Sequence, residues 1–132
     1  MRFKEFLNDL NESSKDSDSD FEIEVHKGVI YINDREEFNP KKFVKKTNIK
    51  KLCQRFNDYA YAAKYDNVVN FANNSVELDS EFFDTEEDSL SHDDFSKVAI
   101  KTLENLINSA ENKESLCDIL YYFADKDYYD FI

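Results

Sequence analysis

The sequence predicts an α+β fold, mostly helical, in a single globular domain spanning 1–132 with one β-hairpin at about residues 21–33. Three observations lead there. One Gly and one Pro in 132 residues leave little of the turn chemistry that tight all-β architectures use. Apolar residues recur at helical spacing over several windows. One stretch, 21-FEIEVHKGVIYIND-34, alternates apolar and polar residues about a Lys-Gly pair. With 41% apolar and 15% aromatic residues the chain has material for one core, and at this length it can bury about two thirds of the surface its unfolded form exposes.

Taken in order, Phe3, Phe6, Leu7 and Leu10 fall at helical spacing over residues 3–10. The following 11-NESSKDSDSD-20 reads as an exposed acidic loop. A two-residue turn at Lys27-Gly28 pairs His26 with Val29 and Val25 with Ile30. That register places Phe21, Ile23, Val25, Ile30 and Ile32 on one face, which helices must cover because an isolated hairpin is marginal. Asn39-Pro40 fits an N-cap followed by Pro at the first helical position, starting a short basic helix over about 40–46. Asn48 can cap a longer helix whose stripe is Ile49, Leu52, Cys53, Phe56, Ala60 and Ala63, with a further turn or two expected through Val68, Val69, Phe71 and Ala72. Val76, Leu78 and Ser80 alternate with Glu77, Asp79 and Glu81, a strand-like period with one acidic face. Ser91 can cap a helix with Asp94 as its capping-box acid, and Phe95, Val98, Ala99, Leu103, Leu106, Ile107 and Ala110 form its stripe. Asn112 caps a last helix carrying Leu116, Cys117, Ile119, Leu120 and Phe123.

Charge is unevenly spread. The formal net charge is −12. Residues 1–66 hold 13 basic and 13 acidic residues, so the whole imbalance lies in residues 67–132, with 4 basic and 16 acidic. The run 41-KKFVKKTNIKKLCQR-55 carries seven positive charges and no negative one. The acidic segment 75-SVELDSEFFDTEEDSLSHDD-94 carries nine negative charges and no positive one. The chain reads as electrically bipolar.

Several chemistries find no support. Asp16, Asp18 and Asp20 match the first positions of a calcium loop, but Phe21 and Lys27 stand where that loop needs Gly and Glu. Cys53 and Cys117 lie on apolar helix stripes and read as core thiols, reduced and not joined by a disulfide. Two Cys and two His are too few for a Cys-rich zinc site, and Gly28 alone cannot build a phosphate loop. No metal, no cofactor and no enzymatic activity are expected. No apolar run approaches the ~18 residues of a membrane span, and the N-terminus lacks a signal peptide's apolar core. The expected location is the cytoplasm of a host bacterial cell, in keeping with the Lys, Asn, Ile, Phe and Tyr bias of AT-rich genomes.

The acidic surface is the remaining candidate. Its acids are interleaved with aromatics, as in 81-EFFDTEED-88 and 125-DKDYYDF-131, whereas acidic disordered tails are poor in aromatics. Continued as a strand, Glu77, Asp79 and Glu81 would stand about 6.8 Å apart, close to the spacing of successive nucleic-acid phosphates. In size, charge and aromatic content the chain resembles the small acidic anti-CRISPR and anti-restriction proteins of phages and mobile elements, many of which imitate nucleic acid. Separately, 118-DILYYFADKD-127 is similar to the acidic, tyrosine-bearing segment of colicin-type nuclease immunity proteins, although Phe123 stands where that family has Pro. That likeness implies Tyr121 and Tyr122 as interface anchors, with Asp118, Asp125 and Asp127 around them.

The expectation is a stoichiometric inhibitor that binds the basic nucleic-acid-binding surface of a nuclease or defence effector, such as a CRISPR effector nuclease or restriction enzyme. Its partner-binding residues would be Glu77, Asp79, Glu81, Asp84, Glu86, Glu87, Asp88, Asp93 and Asp94. Tyr121, Tyr122, Asp125, Asp127, Tyr128 and Tyr129 would extend that surface. The alternatives are a regulatory or adaptor domain that uses the basic 41–55 helix to bind nucleic acid or an acidic protein, and a nuclease immunity protein.

Overall fold

The computed structural model describes residues 21–131. The helix expected over 3–10, the loop 11–20 and the calcium-like Asp16, Asp18 and Asp20 lie outside the described residues. The fold class is α+β, with two three-stranded antiparallel sheets and four α-helices among the described residues.

The first sheet contains β1 (Ile23–His26), β2 (Val29–Ile32) and β3 (Arg35–Phe38). Its hairpin register is the expected one, Val25 opposite Ile30 and His26 opposite Val29. Lys27 and Gly28 both have positive φ, 54° and 77°, the requirement of a type I′ turn. Asn33 and Asp34 repeat the device at 51° and 69°, so Asn and Asp supply left-handed positions in a chain almost without glycine. β3 was not visible as a strand in its sequence, REEF. A register shift pairs Tyr31 with Glu36 but Ile30 with Phe38, leaving Glu37 as the extra residue of a bulge. The bulge seats buried Phe38 opposite buried Ile30 and leaves the Glu37 carboxylate free for other partners.

The helices α1 (Pro40–Lys46), α2 (Ile49–Ala62), α3 (His92–Ser109) and α4 (Lys113–Ala124) begin at the caps expected from the sequence. The Asn39, Asn48 and Asn112 side-chain oxygens accept from the backbone N–H of Lys41, Lys51 and Ser115, and Ser91 accepts from Asp94. The α2 stripe is buried at Leu52, Cys53, Phe56 and Ala60, whereas Ala63 is exposed beyond the helix end.

The stretch 68–72, expected as further helix, instead leaves α2, and Val69–Ala72 forms a strand. Lys64 takes a left-handed φ of 69°, and the Tyr65 N–H closes the helix on the Ala60 carbonyl. The Asn57 side chain then accepts from the N–H groups of Val68 and Val69 and donates to the Val69 carbonyl. Those three bonds tie the chain back onto α2 in extended form. The second sheet follows, with β4 (Val69–Ala72), β5 (Ser75–Leu78) and β6 (Ser89–Ser91) in that order.

One core runs through both sheets and all four helices, and α3 packs against strands of both sheets. Where the first hairpin meets α3, the Gly28 N–H donates to the Asn108 side chain at 3.0 Å. A Cβ at Gly28 would stand 2.8 Å from Glu104 Cγ and 3.2 Å from its Cα. Gly28→Ala therefore combines a left-handed penalty of about 1–2 kcal/mol with overpacking of at least about 1 kcal/mol. The expected loss is about 2–3 kcal/mol in urea unfolding, against under about 0.5 kcal/mol for an exposed neutral change elsewhere.

Candidate interaction surface

The nine acids from Glu77 to Asp94 are all exposed. Only Glu77 stands on a strand. β5 ends at Leu78, and the chain turns at 80–84 with Asp84 at φ 51°. The strand-like period expected through Glu81 therefore stops, and with it the row of carboxylates at phosphate spacing. The reason lies in local chemistry. The Asp79 carboxylate accepts from the Glu81 N–H at 3.0 Å, and its carbonyl accepts from the Phe83 N–H, so Asp79 starts a turn.

What replaces the row is an anchored loop. Leu78 N–H donates to the Asp88 carbonyl at 2.7 Å, Asp79 N–H to Val68 at 2.8 Å, and Thr85 N–H to Ser80 at 3.1 Å. Phe83 is buried with its ring edge-on to Phe56 and Phe95. Phe82 is half-buried between Phe56 and Tyr65. The loop spends its two phenylalanines on the core and presents its acids to solvent. Among the described residues, none of these nine acids forms an ion pair, whereas Glu36, Glu37 and Asp125 all do. Asp93 and Asp94 also occupy the first turn of α3, where negative charge complements the helix dipole.

The C-terminal residues are arranged otherwise. Tyr121 is exposed, and Tyr122 lies half-buried with its ring edge-on to Tyr59 and Tyr121. Asp125 caps α4 in a left-handed conformation and meets the Arg55 guanidinium at 2.5 Å. Asp127 accepts from the Tyr129 N–H at 3.0 Å. The Tyr128 hydroxyl donates to Glu37 at 2.7 Å while its ring packs on Phe21, and the Tyr129 hydroxyl donates to Asp118. Lys126 completes the group by meeting Glu37 at 2.6 Å. These side chains hold the end of the chain onto α2 and β3. The basic segment and the acidic half are thus not kept apart here, because Arg55 is paired with Asp125.

Protonation follows these contacts. Burial pushes the Glu37 carboxyl up, but the Lys126 and Tyr128 hydrogen bonds and the nearby Lys126 and Arg35 charges outweigh it and leave the group below its usual range. Burial first, then the bond to Glu37, pushes the Tyr128 phenol up to about 12. Burial, with Glu114 nearby, raises Asp118. No hydrogen bond or aromatic contact joins the C-terminal group to the 77–94 loop among the described residues. Phe56 lies between them, touching Phe82 and Phe83 on one side and Phe123 on the other.

Lys42, Lys46, Lys51, Arg55 and Lys126 share an open cleft with Glu36, Glu37 and Asp125. Three of these cations are paired with those three acids. Lys45, Lys46, Lys50 and Lys51 are exposed and make no ion pair among the described residues.

Nucleophilic and metal chemistry find no assembled site among the described residues. Cys53 and Cys117 are buried, and burial pushes both thiols up to about 11. Almost no thiolate exists at neutral pH, and the thiolate is the nucleophile. Neither thiol is expected to react with iodoacetamide at pH 8 within the time that a denatured control alkylates fully, as read by mass spectrometry. No hydrogen bond joins either His to either Cys: His26 meets Glu24 at 3.3 Å, and the His92 ring stacks on Phe71. No three His, Cys, Asp or Glu side chains converge as metal ligands among the described residues.

Two features escape a reading of the sequence alone. The bulge that frees Glu37 depends on a pairing with β2. Tyr61, in the last turn of α2, and Tyr65, just beyond that helix, are exposed by 81% and 46%, and Tyr65 packs on Phe82 of the acidic loop. The stripe through Phe56 and Ala60 leaves Tyr61 outside it, which is the signal that could have found the first. No described helix is long and apolar enough to cross a membrane. Compared with protein-family models, with curated proteins and with solved structures, the chain finds no match.

Proposed function

We propose that this protein is a stoichiometric inhibitor that docks its acidic 77–94 surface onto the basic nucleic-acid-binding surface of a nuclease or defence effector, in the manner of anti-CRISPR and anti-restriction proteins. One observation carries the reading. Nine exposed carboxylates without a counter-cation among the described residues sit on a segment pinned by Phe83 and by backbone bonds. Like charges held close repel one another in the free protein, and a basic partner relieves that repulsion while gaining a steered encounter. A loop already ordered pays little entropy on binding, unlike a flexible acidic tail. Inhibition of this kind is steric and electrostatic, without turnover. The immobilised chain should retain basic nucleic-acid-binding proteins from a bacterial lysate, release them as salt rises, and lose them on charge reversal of the loop.

The four exposed lysines Lys45, Lys46, Lys50 and Lys51 favour a second reading, an adaptor that contacts nucleic acid or an acidic protein through the 41–55 segment. Under that reading, neutralising those four lysines abolishes capture and reversal of the loop acids leaves it intact.

A further inference from the structure

Resting on the acidic docking surface just described, we infer that its partner engages it through an arginine-rich segment, whose guanidinium groups stack on Tyr61 and Tyr65. Tyr61 is the most exposed large aromatic among the described residues, at 81%, although it follows directly on buried Ala60. Tyr65 stands with its ring edge-on to Phe82 at 5.4 Å, so the ring is held in place while nearly half of it meets solvent. The two tyrosines line one surface depression with Lys64 and Asp66. Rigid rings with little rotamer entropy are the side chains that anchor protein interfaces.

The surroundings call for a cation. Asp58 lies one turn before Tyr61 on the same helical face. Tyr65 rests on Phe82 of the acidic loop, next in sequence to the exposed Glu81. Asp66 and Lys64 line the depression itself, and the negative charge beside it comes from the adjoining acidic loop, which Tyr65 meets through Phe82.

Arginine fits better than lysine on both counts. A guanidinium is planar, weakly hydrated and stacks on an aromatic face while its edge donates two hydrogen bonds to a carboxylate. A lysine ammonium is strongly hydrated and offers a point charge. Aromatic rings beside spaced negative charges also present such a segment with the two things it meets on unpaired nucleic acid, a π-face and an anion.

The test uses oligo-arginine and oligo-lysine peptides of equal length, titrated calorimetrically into the full chain at about 0.1 M salt, where the Debye length is about 10 Å. The wild type is expected to bind oligo-arginine about five- to tenfold more tightly. Tyr61→Ala with Tyr65→Ala should remove most of that preference, while Tyr61→Phe with Tyr65→Phe should keep it, since the face and not the hydroxyl is used. Tyr61→Ala alone removes an exposed ring and serves if the double variant unfolds; it should lower the preference at least about twofold. A wild type without preference, or a preference unchanged in the Ala variants, would overturn the arginine assignment yet leave the acidic surface standing. Binding of both peptides that survives reversal of the loop acids would instead sink the acidic surface itself.

Discussion

Phe56→Ala is expected to lower stability by about 3–5 kcal/mol, the range for truncating a buried phenylalanine and leaving a cavity. Phe56 is fully buried, and four other rings close on it. Phe83 and Phe123 lie at 5.1 Å between centroids, Phe95 at 6.2 Å and Phe82 at 6.4 Å. Aromatic pairs in such edge-on geometry are worth about 0.5–1.5 kcal/mol beyond their burial, so this site belongs at the upper end of the range. Against a total stability of about 5–15 kcal/mol, the loss is large enough to move the urea midpoint far without changing the slope. The variant should also act locally. Because Phe82 and Phe83 fasten the acidic loop to Phe56, amide exchange at residues 79–88 should accelerate more than in α3. Tyr61→Ala, which removes an exposed ring, should change stability by less than about 0.5 kcal/mol.

The second large effect concerns binding. Replacing Glu77, Asp79, Glu81, Asp84, Glu86 and Glu87 together by Lys moves the formal net charge from −12 to zero. Exposed ion pairs contribute about 0.2–1 kcal/mol each, and reversal adds repulsion to the loss. Affinity for a basic partner should fall by at least about a hundredfold, with most of the remaining affinity lost at high salt. Folding should survive, because these side chains are exposed and form no ion pair among the described residues. Asp79 is the exception to watch, since its carboxylate accepts from the Glu81 N–H. A variant that keeps Asp79 and reverses the other five separates a lost turn from a lost charge. If affinity for every captured partner is unchanged in both variants, the acids serve only to solvate the surface.

The elements that could be read directly from the sequence are those with local causes. The first hairpin's register followed from alternation about Lys27-Gly28, and the four helix starts followed from Asn39, Asn48, Ser91 and Asn112. β3, β4 and β6 were not readable in that way. β3 carries three charges in four residues and pairs only through a bulge at Glu37. β4 continues an apolar pattern that suits a helix equally well, and it is the Asn57 side chain that turns the chain into a strand. β6 is three residues long and too short to show a period.

The candidate surface divides along the same line. That Phe82 and Phe83 would fold the acidic segment rather than leave it a linker was legible, because a plain linker has no use for them. That Tyr128 and Tyr129 would turn inward was not, because Tyr128 finds its partner Glu37 across 91 positions of sequence.

Competition between the chain and nucleic acid for one basic surface is the decisive measurement. A basic nucleic-acid-binding protein captured by this chain is titrated with its own DNA or RNA while binding to the chain is followed. Mutual exclusion is expected: nucleic acid displaces the chain, the chain displaces nucleic acid, and the variant reversed at Glu77, Glu81, Asp84, Glu86 and Glu87 does neither. A partner that holds the chain and its nucleic acid at the same time, with each affinity unchanged by the other, would contradict it.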